Sequence, residues 1–239
     1  MSAAIVTGSG SGIGAALVER LRGDGWDVLG VDVSDGADLR ADLTTREGNR
    51  RAVETALERF GRLDAVVPNA GIQHVAPVAD FPEERWEQIV ALLLTSPFLL
   101  AKYAWQALGE SGSGRFVVIA SVHGLVASPF KAAYVSAKHG VVGLVRTLAL
   151  EGAEHGVSAT AVCPAYVRTP LVERQISDQA RAYGISEAEV LERVILAPQA
   201  VKELIEPEEV ADVVAFLLGP EGRRFTGVAL PMDLGWTAH

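Results

Sequence analysis

Short apolar runs alternate along the chain with longer stretches of helical period. Ala3 to Thr7 reads as a strand, and a helical pattern follows through Arg22 until Gly23 to Gly25 stop it. Asp27 to Val31 is a second strand, closed by Asp32. Thr45 to Phe60 is helical, with Gly61 ending it, and Leu63 to Val67 is again a strand. Phe81 to Leu108 is long, mostly apolar and helical, and Pro97 inside it should kink or restart it. The strand Arg115 to Ala120, the helix Ala132 to His155 and the strand Ser158 to Cys163 follow. From Leu171 to Leu204 the composition turns polar and charged with helical pieces, the natural place for a substrate lid. Pro207 to Leu218 is an amphipathic helix that opens with acids, as the helix dipole prefers, and Val228 to Met232 is a last strand before the tail Asp233 to His239.

This alternation predicts an α/β fold over residues 1–239: a single-domain, Rossmann-like, doubly wound parallel sheet of about seven strands, with helices on both faces and a small helical lid at 171–204. The 239 residues suit one large domain better than two small ones, and 49% hydrophobic content can fill a sizeable core. A net charge of −9 without any basic run argues against nucleic acid as a partner. No apolar run is expected to reach the length of a membrane span, no signal peptide is expected, and the expected location is cytoplasmic. One cysteine, Cys163, excludes an intrachain disulfide framework, and the five histidines show no ligand spacing that would suggest a metal.

Chemistry concentrates in two places. Gly8-Ser9-Gly10-Ser11-Gly12-Ile13-Gly14 follows a strand and opens a helix, so its backbone can approach a pyrophosphate at a helix N-terminus. Asp32 ends the next strand, where a carboxylate can accept hydrogen bonds from both adenosine ribose hydroxyls and would repel a 2′-phosphate. With no basic neighbour, this predicts NAD over NADP. Pro68-Asn69-Ala70-Gly71 ends the strand Leu63 to Val67 with small residues that suit a ligand crevice. The second place is Ser121 to Gly140. Tyr134 and Lys138 share one helix face there, and Ser121 lies thirteen residues before the tyrosine. A nearby ammonium favours phenolate, so Tyr134 could exchange a proton with an alcohol near neutral pH while Ser121 orients the same oxygen. Only four lysines stand against seventeen arginines, and two of them, Lys131 and Lys138, fall in this stretch.

TGSGSGIG at Thr7 to Gly14, NAG at Asn69 to Gly71, the placement of Ser121 and YVSAK at Tyr134 to Lys138 together resemble the short-chain dehydrogenase/reductase family over essentially the whole chain. The resemblance implies a nicotinamide-dependent oxidoreductase with Ser121, Tyr134 and Lys138 as the catalytic trio. It implies cofactor contacts from Gly8, Ser11, Gly12, Ile13 and Asp32 in the first unit. Asp42 and Leu43, then Asn69, Ala70 and Gly71, and finally Pro164, Val167 and Thr169 would add to them, with Tyr134 and Lys138 reaching the nicotinamide ribose. Within that family the chain is similar to the D-3-hydroxybutyrate dehydrogenases through GIQHVAPV at Gly71 to Val78, HGLVAS at His123 to Ser128, SAKHGVVG at Ser136 to Gly143, Thr169 to Ser177 and the GWTA ending. That similarity implies a small anionic 3-hydroxy or 3-oxo acid as substrate. Gln73, His123, Lys131 and Gln175 would hold its carboxylate, with Tyr166 and Trp236 closing the pocket; Tyr166 stands where the subgroup usually has Trp. It also implies a homotetramer. On spacing alone Lys131 could equally be a solvated surface lysine, His123 a turn residue and Gln175 a lid surface residue.

Three departures from the family pattern stand out. Leu93 replaces an Asn that helps hold a water in a proton relay, Pro68 replaces a first Asn, and Ala165 replaces a Gly after Pro164. Leu93 predicts slower or rerouted proton transfer, and Ala165 restricts its turn if that position needs positive φ. Alternatives remain: a dehydrogenase for another small secondary alcohol, or a catalytically weak NAD-binding sensor or scaffold.

Overall fold

The computed structural model describes residues 1–238. Seven strands form one sheet: β1 (Ala3–Thr7), β2 (Asp27–Asp32), β3 (Leu39–Arg40), β4 (Ala65–Val67), β5 (Arg115–Ile119), β6 (Ser158–Pro164) and β7 (Ala229–Met232). All neighbours pair parallel, in the order β3-β2-β1-β4-β5-β6-β7. The strand order reverses beside β1, and there the segments leaving β1 and β4 part to open a crevice. Strand β3 has only two residues, too few to carry a period of two, which is why the sequence pattern does not reveal it.

Every residue of β1, β5 and β6 is buried, because helices cover both faces of a parallel sheet. Alternate side chains feed two cores. Ile5, Phe116, Val118 and Ala161 face α2 (Arg46–Phe60), α4 (Ser96–Glu110) and α5 (Ala132–Gly152), whereas Ala4, Val6, Val117 and Val162 face α1 (Gly12–Gly23) and α8 (Pro207–Leu218). Each fully buried Val, Leu or Phe in these layers contributes about 1.5–3 kcal/mol.

The expected long helix is continuous: α3 (Glu83–Val90) runs into α4 through one π-helical turn, Ala91–Thr95. The Ser96 N–H reaches back five residues to the Ala91 carbonyl. Pro97 follows at the next position, where it has no N–H to give. The wide turn thus absorbs the proline without ending the helix. Taken as one piece, Glu83–Glu110 is long and apolar enough to cross a membrane, contrary to the expectation that no run would be. Here its apolar face is spent on α2 and α5. The lid region forms α6 (Pro170–Tyr183) and α7 (Glu187–Val190), extended by Leu191–Ile195, around a small cluster of Val172, Val190, Ile195 and Tyr166. In the expected tail, Asp233 accepts N–H bonds from Gly235 and Thr237, while His239 lies outside the described residues.

One buried amide locks the loop that follows β3. Asn49 is fully buried; its Nδ2 donates to the Leu43 carbonyl at 2.8 Å and the Thr45 carbonyl at 2.7 Å, and its Oδ1 accepts from the Ser96 hydroxyl at 2.6 Å. Asn49→Ala would strip the Leu43 carbonyl and the Ser96 hydroxyl of this partner, while the Thr45 carbonyl keeps the backbone N–H of residue 49. We expect a stability loss of about 2–4 kcal/mol by denaturant titration, with weakened binding at the Asp42–Leu43 loop.

Candidate active site

A cleft of about 780 Å³ runs along the C-terminal ends of β1, β4, β5 and β6. One end is built by the glycine turn. Gly8 has φ +68° and Gly12 φ +51°, and a Cβ on them would come within 2.8 Å of the Ala70 backbone and the Thr169 methyl. Only glycine fits a turn drawn this close to the segments after β4 and β6. Ser11 and Ile13 line the same end, with Ser11 as N-cap of α1, so the free N–H groups of α1 start at the cleft. Asn69 ties this turn to β1: Thr7 Oγ1 accepts from the Asn69 and Ala70 N–H groups at 2.9 and 3.0 Å, and Asn69 Nδ2 donates to the Thr7 carbonyl.

Asp32 sits at the rim beyond this turn. Burial pushes its carboxyl up, but N–H bonds from Gly10, Ser34 and Val33 and the Ser34 hydroxyl outweigh it and hold the group below 3.8. It is therefore a fixed negative charge at neutral pH. Asp42 and Leu43 also line this end; the Asp42 carboxylate is turned into its own loop, where it accepts from Thr44. Gly71, Pro164 and Val167 line the middle of the cleft. Ala165 is not in the left-handed region, so it carries no strain.

The second end gathers Ser121, Tyr134 and Lys138. Lys138 is buried on α5 and donates to the Ile119 carbonyl at 2.7 Å, with its ammonium 5.6 Å from the centre of the Tyr134 ring. Burial lowers Lys138 to about 8. The phenol of Tyr134 does not show the expected downward shift. Burial pushes it up, and the Ser121 hydroxyl beside it pulls the other way. The cause is desolvation of the phenol itself, while the lysine is turned to the Ile119 carbonyl.

Beside the trio lies Lys131, 2% exposed, which donates to the Tyr166 hydroxyl at 2.8 Å and has no carboxylate partner among the described residues. Burial lowers it to about 7. His123 is buried too. Its Nε2 is 2.9 Å from the Ser128 hydroxyl, and burial and Lys131 hold it neutral with a pKa of about 3. Gln73 reaches the cleft with a buried Nε2 that has no partner, and Gln175 is buried against it from α6. Trp236 does not line the cleft itself; it stacks on Tyr166 at 5.8 Å and meets His123 edge-on at 5.4 Å. The structure thus places every other candidate residue on one continuous cleft, and Trp236 behind its wall.

The family model described as short chain dehydrogenase matches residues 2–180. The chain belongs to the short-chain dehydrogenase family. Among its relatives, a D-beta-hydroxybutyrate dehydrogenase of Rhizobium meliloti is 42% identical over 254 residues, covering 99% of this chain and 98% of that protein. A D-beta-hydroxybutyrate dehydrogenase of Cupriavidus necator is 38% identical with the same coverages. A cis-4-hydroxycyclohexanecarboxylate dehydrogenase of Sinomonas cyclohexanicum is 33% identical, covering 98% and 96%.

Sequence reasoning missed several residues of this short-chain dehydrogenase. Thr7 looks like the end of a strand, and only the sheet register reveals that its hydroxyl holds Asn69 and Ala70. Phe130 carries no motif signal, yet it is an aromatic residue at φ +65° directly before Lys131. Arg85 and Arg174 line the rim from α3 and α6, and no spacing rule links them. Gln179, one turn beyond Gln175 on α6, is 2% exposed; the same-face spacing was the available signal.

Leu93, in the π-helical turn, is buried with Ile89, Ala133 and Ala137. Leu93→Asn places an amide among these apolar groups and is expected to cost about 1–3 kcal/mol, read as a lower Tm. If Leu93 limits the proton step, turnover of this variant rises; an unchanged turnover shows that it does not.

Proposed function

We propose that this short-chain dehydrogenase uses NAD to interconvert D-3-hydroxybutyrate and acetoacetate, or a close short-chain 3-hydroxy acid. The observation that carries the reading is Lys131, a buried cation without an acidic partner in the same cleft as Ser121 and Tyr134. A buried ammonium of this kind is stabilised by an anion that arrives with the substrate. The partnerless Gln73 Nε2 offers a second donor, and Gln175 a third. The similarity to two D-beta-hydroxybutyrate dehydrogenases supports the same substrate class.

The residues present fit NAD. Gly8 and Gly12 leave a cradle that any Cβ would fill, the N–H groups of α1 face a pyrophosphate position, and Asp32 suits ribose hydroxyls and repels a 2′-phosphate. Asn69 to Gly71 and the segment Pro164 to Thr169 would flank the nicotinamide half. When bound, NAD supplies the hydride acceptor for oxidation, and NADH the donor for reduction. Burial keeps Tyr134 a neutral phenol, which gives its proton to the carbonyl oxygen on reduction; in oxidation it takes the hydroxyl proton only after its own proton has left as phenolate forms. Ser121 hydrogen-bonds the same oxygen and fixes its position. Lys138 holds the Tyr134 helix to β5 and offers its remaining N–H groups to the ribose. Tyr166, His123 and Trp236 give the pocket apolar walls with neutral polar edges. Exposed Phe98 and Leu150 on α4 and α5, and Phe216 packed against Phe225, suit packing against further copies in a homotetramer, for which a cytoplasmic location is proposed.

A second reading, oxidation of another small secondary alcohol, is favoured by Tyr166 because its hydroxyl already occupies Lys131. NADH production with D-3-hydroxybutyrate, the L-isomer and neutral alcohols separates the two, and tight NADH binding without turnover would instead indicate a sensor. Lys131→Ala should raise KM for the acid about 10–100-fold and leave neutral alcohols nearly unaffected. Because burial sets Lys131 near 7, the ammonium form is lost as pH rises through that value. KM for the acid should therefore climb above pH 7, approaching about tenfold per unit, while KM for a neutral alcohol stays flat.

A further inference from the structure

Helix α6 lays Gln175, Gln179 and Tyr183 along one face at successive intervals of four residues. Gln175 reaches the cleft, and the other two meet the surroundings of Lys131. The Tyr183 ring packs edge-on against Phe130 at 5.0 Å. Phe130 precedes Lys131 in the left-handed region, a strained conformation for an aromatic residue, and its carbonyl accepts from the Ala76 N–H at 3.0 Å. The backbone that aims Lys131 is thus clamped from outside. From inside, the Tyr166 hydroxyl accepts from Lys131 at 2.8 Å, and the ammonium stands 4.9 Å from the centre of the Tyr166 ring. The Gln179 side chain lies against the same hydroxyl, and its Nε2 is buried without a partner. A hydroxyl that accepts from a lysine still has one proton to donate, and a half-turn of the Gln179 amide presents an oxygen to it.

We propose that Tyr166 and Gln179 are positioning residues, forming a buried polar bridge that holds Lys131 toward the substrate carboxylate and couples it to helix α6. This rests on the reading of Lys131 as the carboxylate-binding group. Titratable groups near the cluster include His123 from the turn after β5, Tyr134 from α5, Tyr166 itself and Tyr183 from α6, neutral at pH 7, while the cations Arg174 of α6 and Lys138 of α5 line the same cleft. With no carboxylate to pair with, the ammonium depends on the Tyr166 oxygen as its fixed acceptor. A Trp at this position would offer an N–H and no acceptor.

The test uses the full chain. Its four lysines give four resolvable side-chain signals when labelled with ¹³C at Cε. In the native protein one signal should titrate near pH 7. Tyr166→Phe, which removes only the oxygen, should move that titration about half a unit or more lower, because the charged form loses its acceptor. Tyr166→Trp should do the same despite its bulk. Both should raise the ratio of KM for the acid to KM for a neutral alcohol about fivefold, and Gln179→Leu about threefold. An unmoved lysine titration together with an unmoved KM ratio in Tyr166→Phe overturns the bridge, even where Lys131→Ala abolishes acid selectivity. A native protein without acid selectivity overturns the substrate reading instead, and the titration still decides whether Tyr166 holds Lys131.

Discussion

One hydrogen bond fixes the reacting geometry: Lys138 Nζ to the Ile119 carbonyl, at 2.7 Å. It joins the interior of α5 to the last residue of β5. Ser121 lies two residues beyond Ile119 on the strand side, and Tyr134 one turn before Lys138 on the helix side. The bond therefore sets the distance between Ser121 and Tyr134, the two groups proposed to share a substrate oxygen. It is charge-assisted and buried, hence among the stronger bonds available to a protein. Its partner being a backbone carbonyl, no side-chain substitution on β5 can remove it.

The two buried lysines are neutralised by different means. Lys138 has a carbonyl from the sheet, and burial takes it only to about 8. Lys131 has only the weaker acceptor of a phenol, and burial takes it to about 7. A buried ammonium with a poor acceptor is costly to the free protein, and that cost is recovered when an anion arrives. On the proposed reading, binding affinity for an acid is stored in this way as an unsatisfied charge. The flanking His123 is kept uncharged by the same burial and by Lys131 itself, so it competes for no anion. Under the proposed function, this arrangement would let a chain of net charge −9 accept an anionic substrate at one local point.

Motif and period made most of the fold legible. Six strands, the glycine turn and the helix of Tyr134 and Lys138 stand where alternation and spacing put them, because each runs long enough to show its period. Strand β3 escaped at two residues, and the π-helical turn escaped because a proline in a helical pattern signals a break in general, not the wide turn that absorbs this one. The candidate site was legible as a set of residues and illegible as electrostatics. Spacing alone placed Lys138 near Tyr134 and implied a lowered phenol. It could not show that the lysine would be turned to Ile119, or that burial would push the phenol the other way. The contact of Lys131 with Tyr166 joins residues 35 apart and has no local signature.

The placement of α5 shows why the neighbouring departures from the family pattern are tolerated. Ala133, Ala137 and Gly140 fall along one side of that helix, and a Cβ on Gly140 would come within 2.9 Å of Leu94. These small residues let the π-helical turn approach closely, and Leu93 fills the remaining space with Ile89, Ala133 and Ala137. An apolar side chain at position 93 is thus the packing choice that seats α5 firmly, since it adds buried area and leaves no amide to satisfy. At the same turn Pro97 deprives the Leu93 carbonyl of its usual N–H donor four residues on. The helix that carries Tyr134 and Lys138 is thus seated through its small residues against an apolar turn.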